Sequence, residues 1–423
     1  MTSSDPTRPL AARVRELRFN PAVAAGRSAW PFAFGIVAAM ILQFVISPSL
    51  GPFYAKIVVD IGIAVVLGVS LNIVNGFAGQ FSIGHAGFMM LGGYTAAVVT
   101  YYGSIHLGWI TPEDVSVSPH GGFLGSGDQL FLMSCVLAGV VAAFAGLLVG
   151  LPSLRLRGDY LAIVTLGFGE IVRVLVQQTP SVLSPAQAKD AGIVDSVWSL
   201  GGSLGFTGVP TYVSTAPNGH TGLFFTYVMV AILLVVAYRL KSSSQGRALL
   251  AVRENEIAAE AMGVNTARTK VVSFVTAAFF AGVGGALFAH TLGTTLGPKD
   301  LGFQKSIDVV IMVVLGGMGS ITGVVLAASI LTILPELFRE FAEYRMPVYA
   351  LALIVVMIVR PQGLFGIKEL WDLAFWRRYV IPLWRKVAGG WLIPKYEERT
   401  PAAVARALSS ERTDADLAGK GDP

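Results

Sequence analysis

Long apolar runs, separated by short polar or glycine-rich stretches, dominate the pattern of hydrophobic and polar positions along this chain. Most runs approach the roughly 20 residues with which an α-helix crosses the hydrocarbon core of a bilayer. We therefore predict an all-α polytopic membrane protein with about ten transmembrane helices. The predicted spans cover approximately residues 31–50, 57–74, 83–102, 130–150, 160–177, 222–238, 271–292, 306–317, 319–335 and 346–360.

The composition narrows the class further. Of the 423 residues, 54% are apolar and only 13% are charged, whereas about a quarter of the residues in a soluble domain carry charge. The net charge of +5 comes from Lys and Arg in tails and alternate loops, which is typical of membrane topology and argues against nucleic-acid binding. Cys135, the single cysteine, lies inside an apolar run, so no disulfide framework forms within one chain. Because no cluster has metal-ligand spacing and no nucleophile is grouped with a base, we expect neither a metal site nor catalytic residues.

The basic residues also predict the orientation of the chain. Loops on the side of the N-terminus carry many Lys and Arg, among them Arg155, Arg157, Arg253 and Lys270, whereas the opposite loops carry few. The positive-inside rule then places both termini in the cytoplasm. The predicted organisation is a cytoplasmic tail (1–29), a transmembrane domain (30–365), an interfacial Trp- and Arg-rich segment (366–396) and a disordered cytoplasmic tail (397–423).

Two glycine-rich stretches, at residues 72–88 and 316–323, interrupt the apolar pattern at corresponding places in the two halves. Backbone that leaves a helix at membrane depth must line a cavity or be buried in protein, and paired interruptions of this kind point to a substrate site. The alternative, compatible with the first, is that the glycines serve close helix packing. For His85, completion of a hydrogen-bond network is the alternative to a ligand role. Candidates for the translocation path are Asn75, Gly79, Gln80, Ser82, Gly84, His85, Gly316, Gly317, Gly319 and Ser320.

Four ionisable residues lie within predicted spans: Asp60, Glu170, Arg173 and Asp308. A charge exposed to lipid at a helix centre costs about 2.5–3.5 kcal/mol, so these side chains should face the interior of the protein. Glu170 and Arg173 are one helical turn apart and can neutralise each other. A gate or a proton relay is the other interpretation of these residues.

A polar, helix-prone loop at residues 239–270 separates two long apolar runs. Within it, a face of small residues precedes a glycine placed where a helix should stop, and this shape suits docking in the groove of another protein. We interpret the loop as the contact with an external motor. The candidate contact residues are Glu256, Ala258, Ala259, Glu260, Ala261 and Gly263. The chain has no phosphate-binding loop that ends in Gly-Lys-Ser or Gly-Lys-Thr, so we expect no cofactor in this chain and ATP hydrolysis by partner subunits.

Two loops on the predicted outer side, residues 103–129 and 178–221, are rich in Gly, Ser and Pro. The second is long for a connection between membrane helices. It is either a solvated variable loop or a cap that covers the outer mouth or meets a partner there.

Four ordered blocks resemble the permease subunits of branched-chain amino acid ABC importers of the LivM type. The blocks are Leu71 to Gly87, Gly158 to Gly167, Arg253 to Gly263 and Leu315 to Ser320. Together they cover most of residues 55–365. The chain departs from the family pattern in its long outer loop and in its Trp-rich tail.

The resemblance implies a complex in the bacterial plasma (inner) membrane. This complex contains two related permeases, either this chain with a second, LivH-like subunit or two copies of this chain. It also contains two cytoplasmic ABC ATPases and an extracytoplasmic solute-binding protein. The loop near residues 246–265 would be the coupling helix that seats on an ATPase. The implied cargo class is leucine, isoleucine and valine, with urea or short amides as the alternative.

We favour an alternating-access mechanism, in which nucleotide binding closes the ATPase pair, the coupling helix moves, and the broken helices open the path to one side and then to the other. Helix N-termini near Ser82 to His85 would hold the carboxylate of an amino-acid cargo. The rival class is an ion-coupled secondary transporter that uses Asp60, Glu170 or Asp308 as its ion site. A membrane enzyme is a more distant alternative.

Overall fold

The computed structural model describes residues 21–49, 51–108, 125–153, 159–210, 221–292 and 295–339, and single positions at 347, 350, 351, 354, 358, 359, 363 and 369. This part of the chain is almost entirely helical, which confirms the predicted all-α membrane architecture. Its helices are α1 (Pro21–Ile41), α2 (Pro52–Asn72), α3 (His85–His106), α4 (Ser126–Ser153), α5 (Asp159–Gln177), α6 (Pro185–Asp190), α7 (Ile193–Trp198), α8 (Thr221–Ser242), α9 (Ser244–Glu254), α10 (Glu256–Ala261), α11 (Thr266–Leu292), α12 (Phe303–Gly316) and α13 (Ile321–Leu337). Two short strands, β1 (Phe206–Thr207) and β2 (Thr295–Leu296), pair antiparallel.

Six helical segments among the described residues are long and apolar enough to cross a membrane. They are Trp30–Ser49, Phe53–Phe77, Ser126–Leu151, Tyr160–Gln177, Gly222–Ser242 and Thr266–Leu292. Three further predicted spans coincide with α3, α12 and α13, and the tenth, at 346–360, lies mostly outside the described residues. α3 does not reach the same apolarity because it is buried among other helices, where a helix need not match lipid. α12 has 14 residues and α13 has 17, so they are about 21 and 26 Å long.

The core of the bundle forms where α3, α4 and α11 pack backbone against backbone. A Cβ added to Gly92 of α3 would lie 2.2 Å from the carbonyl oxygen of Gly282 in α11. A Cβ added to Gly282 would lie 2.5 Å from the carbonyl oxygen of Ala138 in α4. On Gly285 a Cβ would lie 1.9 Å from the carbonyl oxygen of Met89. Small residues allow this approach, which is how membrane helices gain van der Waals contact without a hydrophobic driving force.

Gly285→Ala is expected to destabilise the bundle, because the added methyl group displaces the backbone of α3 rather than a flexible side chain. Overpacking of this kind costs about 1–3 kcal/mol or more. The measurement is thermal unfolding of the purified protein in detergent. Gly167→Ala in α5 is the matched control, since a Cβ there meets no atom within 4 Å and alanine favours a helix. An unchanged unfolding temperature for Gly285→Ala would contradict the packing argument.

The helices end in two layers. At one end, which we call the coupling end, α8 finishes and α11 begins, and Lys241 and Arg253 reach the ends of α2 and α12. At the other, the distal end, the hydroxyls of Tyr101 and Tyr102 donate to the carbonyls of Leu183 and Ser199.

The boundaries of several predicted segments change. α1 begins at Pro21, inside the predicted N-terminal tail. The helix expected near residues 246–265 is two helices, α9 and α10, because Asn255 is extended and starts a new helix. Apart from Glu369, the predicted interfacial segment 366–396 and the predicted disordered tail 397–423 lie outside the described residues.

Candidate functional site

The first glycine-rich break is a distorted end of α2 followed by extended backbone. Residues Ile73–Phe77 form a π-helical turn, and α3 begins only at His85. Gly79 has a φ of +67°, and a Cβ on it would lie 2.8 Å from Arg253 Cγ. The helix is therefore interrupted at residues 78–84, as the glycine pattern predicts.

Asn75 closes the loop of this break with its side chain. The amide nitrogen of Ser82 donates to Asn75 Oδ1 at 3.1 Å, and Asn75 Nδ2 donates to the Ser82 carbonyl at 3.3 Å. Gln80 is also buried, and its Oε1 has no hydrogen-bond partner among the described residues. Polar side chains within the break therefore stabilise it, and the buried oxygen Gln80 Oε1 is left without a hydrogen-bond donor among the described residues.

His85 belongs to a hydrogen-bond network inside the bundle. Its Nε2 lies 2.8 Å from Ser70 Oγ, which in turn donates to the carbonyl of Leu67 at 2.9 Å. The network connects the start of α3 to the last turns of α2.

The backbone amides at the start of α3 already have protein partners. Ile83 N donates to Thr165 Oγ1 at 3.2 Å, and Ala86 N donates to Ser306 Oγ at 2.9 Å. A Cβ on Gly84 would lie 2.1 Å from the Thr165 carbonyl oxygen, so α5 covers this helix end closely. In this conformation side chains of α5 and α12 occupy the helix end that the sequence suggested for a cargo carboxylate.

The second break is a tight turn between α12 and α13. Gly317 and Gly319 have φ values of +100° and +95°, a region that favours glycine. Ser320 caps α13, because its Oγ accepts a backbone N–H three residues further on at 3.1 Å. A Cβ on Gly316 would lie 2.6 Å from the backbone of Val324. The glycines therefore serve both the turn and the close packing of the two helices.

The two breaks touch each other at the coupling end. Gly319 N donates to Asn72 Oδ1 at 2.8 Å, and Asn72 Nδ2 donates to the Ser320 carbonyl at 3.2 Å. A Cβ on Gly76 would lie 2.5 Å from Gly319 N. We call this contact of Asn72 and Gly76 with Gly319 and Ser320 the break junction.

Arg253 of α9 connects the loop at residues 239–270 to the break junction. Its Nη1 donates to the Gly76 carbonyl at 2.7 Å. The same Nη1 would lie 2.8 Å from a Cβ on Gly319. One guanidinium group therefore contacts both breaks. A displacement of α9 would change the contacts of Arg253 with Gly76 and Gly319.

Lys241 and Glu369 reinforce the junction from a second direction. Lys241 Nζ donates to the Gly319 carbonyl at 2.7 Å and to Glu369 Oε1 at 2.5 Å. Glu369 also accepts the backbone N–H groups of Ile321 and Thr322, each at 3.0 Å. Burial by itself would raise the pKa of Glu369, but these hydrogen bonds outweigh it and lower that pKa. The carboxylate stays ionised and complements the N-terminal end of α13.

The predicted coupling residues form a compact turn of helix. Asn255 Oδ1 accepts from Ala258 N at 3.1 Å and so caps α10. At its end, Gly263 has a φ of +84°, its N–H donates to the Glu260 carbonyl, and the next N–H donates to the Ala259 carbonyl. This pair of bonds is a Schellman motif, so glycine stops the helix where the sequence predicts.

One side of α10 packs against the rest of the protein, and the side chains on its other side are exposed. Ala259 is buried, and Glu256 is tied to α11 by a 2.5 Å ion pair with Lys270. Ile257 is 69% exposed and Met262 is 84% exposed. The remaining predicted coupling residues are exposed as well: Ala258, Glu260, Ala261 and Gly263.

The structure separates the four predicted intramembrane charges into two groups. Glu170 and Arg173 form an ion pair of 2.7 Å within α5. Asp60 of α2 and Asp308 of α12 line a cavity of about 1040 Å³, which we call the distal cavity. None of the predicted path residues in the two breaks lines it.

The long outer loop is structured over its described residues. It contains α6, α7 and β1, and Tyr101 and Tyr102 fix it through hydrogen bonds to the Leu183 and Ser199 carbonyls. Several apolar side chains on it are nevertheless exposed. They are Ile193, Val194, Val197, Trp198 and Leu204.

Five residues that form or contact the break junction are absent from the predicted site: Asn72, Gly76, Lys241, Arg253 and Glu369. Arg253 had a local signal, since it stands at the head of the polar block that continues to Gly263. Asn72 opens the first break without a distinguishing pattern of its own. Lys241 and Glu369 had no signal, because their pairing joins residues that are far apart in the chain.

Comparison with known proteins gives a consistent result. Residues 53–360 match the family described as the permease component of branched-chain amino acid transport systems. The chain is 35% identical over 311 residues, 71% of this chain and 67% of the relative, to the high-affinity branched-chain amino acid transport system permease protein LivM of Escherichia coli. It is 22% identical to a probable branched-chain amino acid transport permease protein LivM of Methanocaldococcus jannaschii, over 73% of this chain and 92% of the relative.

A shorter similarity extends to another permease. The chain is 33% identical over 144 residues to the permease protein LivH of the same Escherichia coli transport system, which is 34% of this chain and 45% of the relative. No solved structure matches the chain.

Proposed function

Since the chain belongs to the family of permease components of branched-chain amino acid transport systems, we propose that it forms part of the membrane path of an ATP-driven importer in the bacterial plasma membrane. In this proposal both termini are cytoplasmic. The partners are a second permease, either LivH-like or another copy of this chain, two cytoplasmic ATPases and an extracytoplasmic solute-binding protein.

One observation carries the proposal. The exposed α9–α10 pair connects through Arg253 to both glycine-rich breaks, at Gly76 and at Gly319. An apolar surface formed by Ile257 and Met262 is available to a partner at the same end. An external subunit that moves α10 therefore has a direct mechanical connection to the interior of the bundle.

The transport cycle follows from this connection. Nucleotide binding closes the ATPase pair and displaces α9 and α10, and Arg253 transmits the displacement to the break junction. The junction closes the coupling end through Asn72 and Ser320, while the distal cavity lies in the other half of the bundle. Rearrangement of the junction opens the path toward the ATPases, and this is an alternating-access step. The predicted path residues Asn75 and Gln80 lie beside that opening.

The distal end is the proposed contact for the solute-binding protein. The exposed apolar side chains of α7, including Val194 and Trp198, lie on a loop that Tyr101 and Tyr102 hold in place. Aromatic residues surrounded by polar loop residues are common anchors of protein interfaces. The loop then acts as a docking platform rather than as a solvated connection.

We propose leucine, isoleucine and valine as the cargo, following the relatives. Urea and short amides are the alternative. The charged side chains of the distal cavity, such as Asp60 and Lys305, favour a cargo that itself carries charges over an uncharged amide.

Reconstitution tests the proposal. The chain is expressed with its sister permease and two ATPases, placed in liposomes with ATP inside, and supplied with the solute-binding protein and radiolabelled leucine outside. We expect accumulation of leucine that requires both ATP and the solute-binding protein. Competition by excess urea and acetamide is expected to be absent, and transport of urea without leucine would reassign the cargo.

A second set of liposomes tests the rival function, an ion-coupled secondary transporter. Asp60 and Asp308 share one cavity, which is the observation in favour of that class. Liposomes that contain this chain alone are given a proton or sodium gradient. Leucine accumulation under those conditions would overturn the ATP-driven proposal.

A further inference from the structure

The distal cavity is lined by a mixed set of charged side chains together with apolar and a few neutral polar residues. It lies between the distal halves of α2, α12 and α13 and the end of α11, and its volume is about 1040 Å³. This volume is ample for a small metabolite, since ligand pockets commonly measure about 300–1,000 Å³. Its charged lining residues are Lys56, Asp60, Lys305, Asp308, Glu336 and Arg339.

Acidic and basic residues of the cavity lie on the same helices. Lys56 and Asp60 are one turn apart on α2, and Lys305 and Asp308 are one turn apart on α12. Lys305 lies within electrostatic range of both Asp60 and Asp308. The cavity therefore offers positive and negative groups from both α2 and α12.

Among the described residues, neither Asp60 nor Asp308 takes part in a salt bridge within 4.0 Å. Lys305 Nζ lies 5.1 Å from the centre of the Phe288 ring, and the Arg339 guanidinium lies 4.8 Å from that of Phe53. Charges at membrane depth without a direct counter-ion mark a substrate or ion pathway.

Aliphatic side chains form the deeper wall of the same cavity. Ile63 and Leu67 contribute from α2, Val309 and Met312 from α12, and Leu331 from α13. Ile63, Leu67, Val309 and Leu331 are buried in the chain's own core. The wall continues toward the break junction, because Asn72 lies one to two turns beyond Leu67 on α2.

We infer that the distal cavity is the cargo-binding site and that it recognises a zwitterionic aliphatic amino acid. Asp60 and Asp308 bind the α-ammonium group, Lys305 binds the α-carboxylate, and the aliphatic side chain of the cargo lies against Ile63 and Met312. This inference rests on the proposed transport function and adds the residues that would select the cargo class within the membrane.

The position of the cavity suits a site that is loaded from the distal end. Asp60 precedes Asn72 by a helical rise of about 18 Å. At Asn72, hydrogen bonds to Gly319 and Ser320 hold the two breaks together. A cargo bound at Asp60 and Asp308 thus waits on the far side of the junction that Arg253 contacts.

Protection of an introduced thiol tests the site directly. Thr332 lines the cavity, and Thr332→Cys is nearly isosteric. Ser329→Cys on the same helix α13 is the matched control, because Ser329 is also partly exposed and does not line the cavity. Both are made in a Cys135→Ala background, in the assembled permease and ATPase complex without the solute-binding protein. The labelling rate with a small thiol reagent is measured against rising leucine concentration.

We expect leucine to slow labelling at Thr332→Cys and to leave Ser329→Cys unchanged. The same titrations with 4-methylpentanoate, which lacks the ammonium group, and 3-methylbutylamine, which lacks the carboxylate, are expected to protect much less. Asp308→Asn is expected to raise the leucine concentration for half protection about tenfold or more. Asp308→Glu, which retains the charge, is expected to restore part of the protection.

Three results would overturn the inference. They are no protection by leucine, equal protection by the amine and by leucine, and protection by sodium ions in place of leucine. ATP-driven leucine uptake by the reconstituted wild-type complex separates this test from the proposed function. Uptake without protection overturns the site alone, whereas no uptake by a complete, ATP-hydrolysing complex overturns the transport function itself.

Discussion

Ile257→Asp is expected to release this permease from the proposed ATPase subunits and to abolish ATP-driven uptake. Ile257 is 69% exposed on α10, so the substitution changes the outer surface of that helix and leaves the packed residue Ala259 in place. Burying an unpaired carboxylate in an apolar groove costs several kcal/mol. A loss of that size lowers the affinity for the ATPase by about 100-fold or more. The measurement is the amount of ATPase that co-purifies with the tagged permease, together with leucine uptake in liposomes.

Ile193→Asp provides the matched control. Ile193 is 78% exposed and lies on α7, at the distal end, so the same substitution there should leave ATPase co-purification unchanged. Normal assembly and uptake with Ile257→Asp would show that α10 does not carry the ATPase contact. Equal loss of assembly in both variants would show that the effect is not local to α10.

Arg253→Ala is expected to uncouple hydrolysis from transport. The variant loses the 2.7 Å hydrogen bond to the Gly76 carbonyl, which is the connection between α9 and the break junction. A hydrogen bond from a charged group contributes about 1.5–3 kcal/mol, so uptake should fall roughly tenfold or more. ATPase binding and ATP hydrolysis should persist, because Arg253 points into the bundle and not toward the outer surface of α10. The ratio of leucine transported to ATP hydrolysed is the quantity to measure.

Arg247→Ala controls for the loss of a positive charge on the same helix. Arg247 is exposed, and we expect its ratio of transport to hydrolysis to match the wild type. Arg253→Lys should show an intermediate ratio, since an ammonium group retains the charge without the planar fork of guanidinium. A parallel loss of hydrolysis and uptake in Arg253→Ala would assign the residue to ATPase binding. Unchanged coupling would remove Arg253 from the transmission path.

The features predicted correctly from the sequence are those that local patterns encode. Apolar runs mark the helices, and the glycines near Gly79 and Gly317 mark the two places where helices stop. Gly263 is a further example, since the pattern of small residues followed by glycine specifies a helix and its C-terminal turn within a few residues. Each of these depends on backbone preferences that operate over one or two turns.

The contacts between the breaks were not predictable in the same way. Asn72 and Gly319 are 247 residues apart in the chain, and no periodicity within either break reports on the other. Glu369 is similar, because a single acidic residue after an apolar run gives no indication that it accepts from Lys241 and the start of α13. Such pairs arise from the tertiary packing of helices, which hydropathy does not encode.

The distal cavity shows the same division. Each of Asp60 and Asp308 was recognisable as a charge that should face the interior of the protein. Their common location follows only from the packing of α2 beside α12.

The break of the coupling region at Asn255 is the opposite case, a local signal that a helix-prone composition obscured. Asn255 caps α10 by accepting the N–H of Ala258, and it interrupts a segment whose composition predicts one continuous helix.

The shortness of α12 and α13 has a consequence for the surrounding lipid. At 14 and 17 residues, neither helix reaches the thickness of about 30 Å of a typical hydrocarbon layer. This hydrophobic mismatch is relieved if the lipid thins beside the hairpin or if water fills the mouth above it. In both cases the low-dielectric layer that separates the two aqueous compartments is thinner at this hairpin than elsewhere in the bundle. If the proposed path runs beside this hairpin, a solute on it crosses only a short distance through a medium of low dielectric constant, and a small displacement of the hairpin is enough to change which compartment the solute faces.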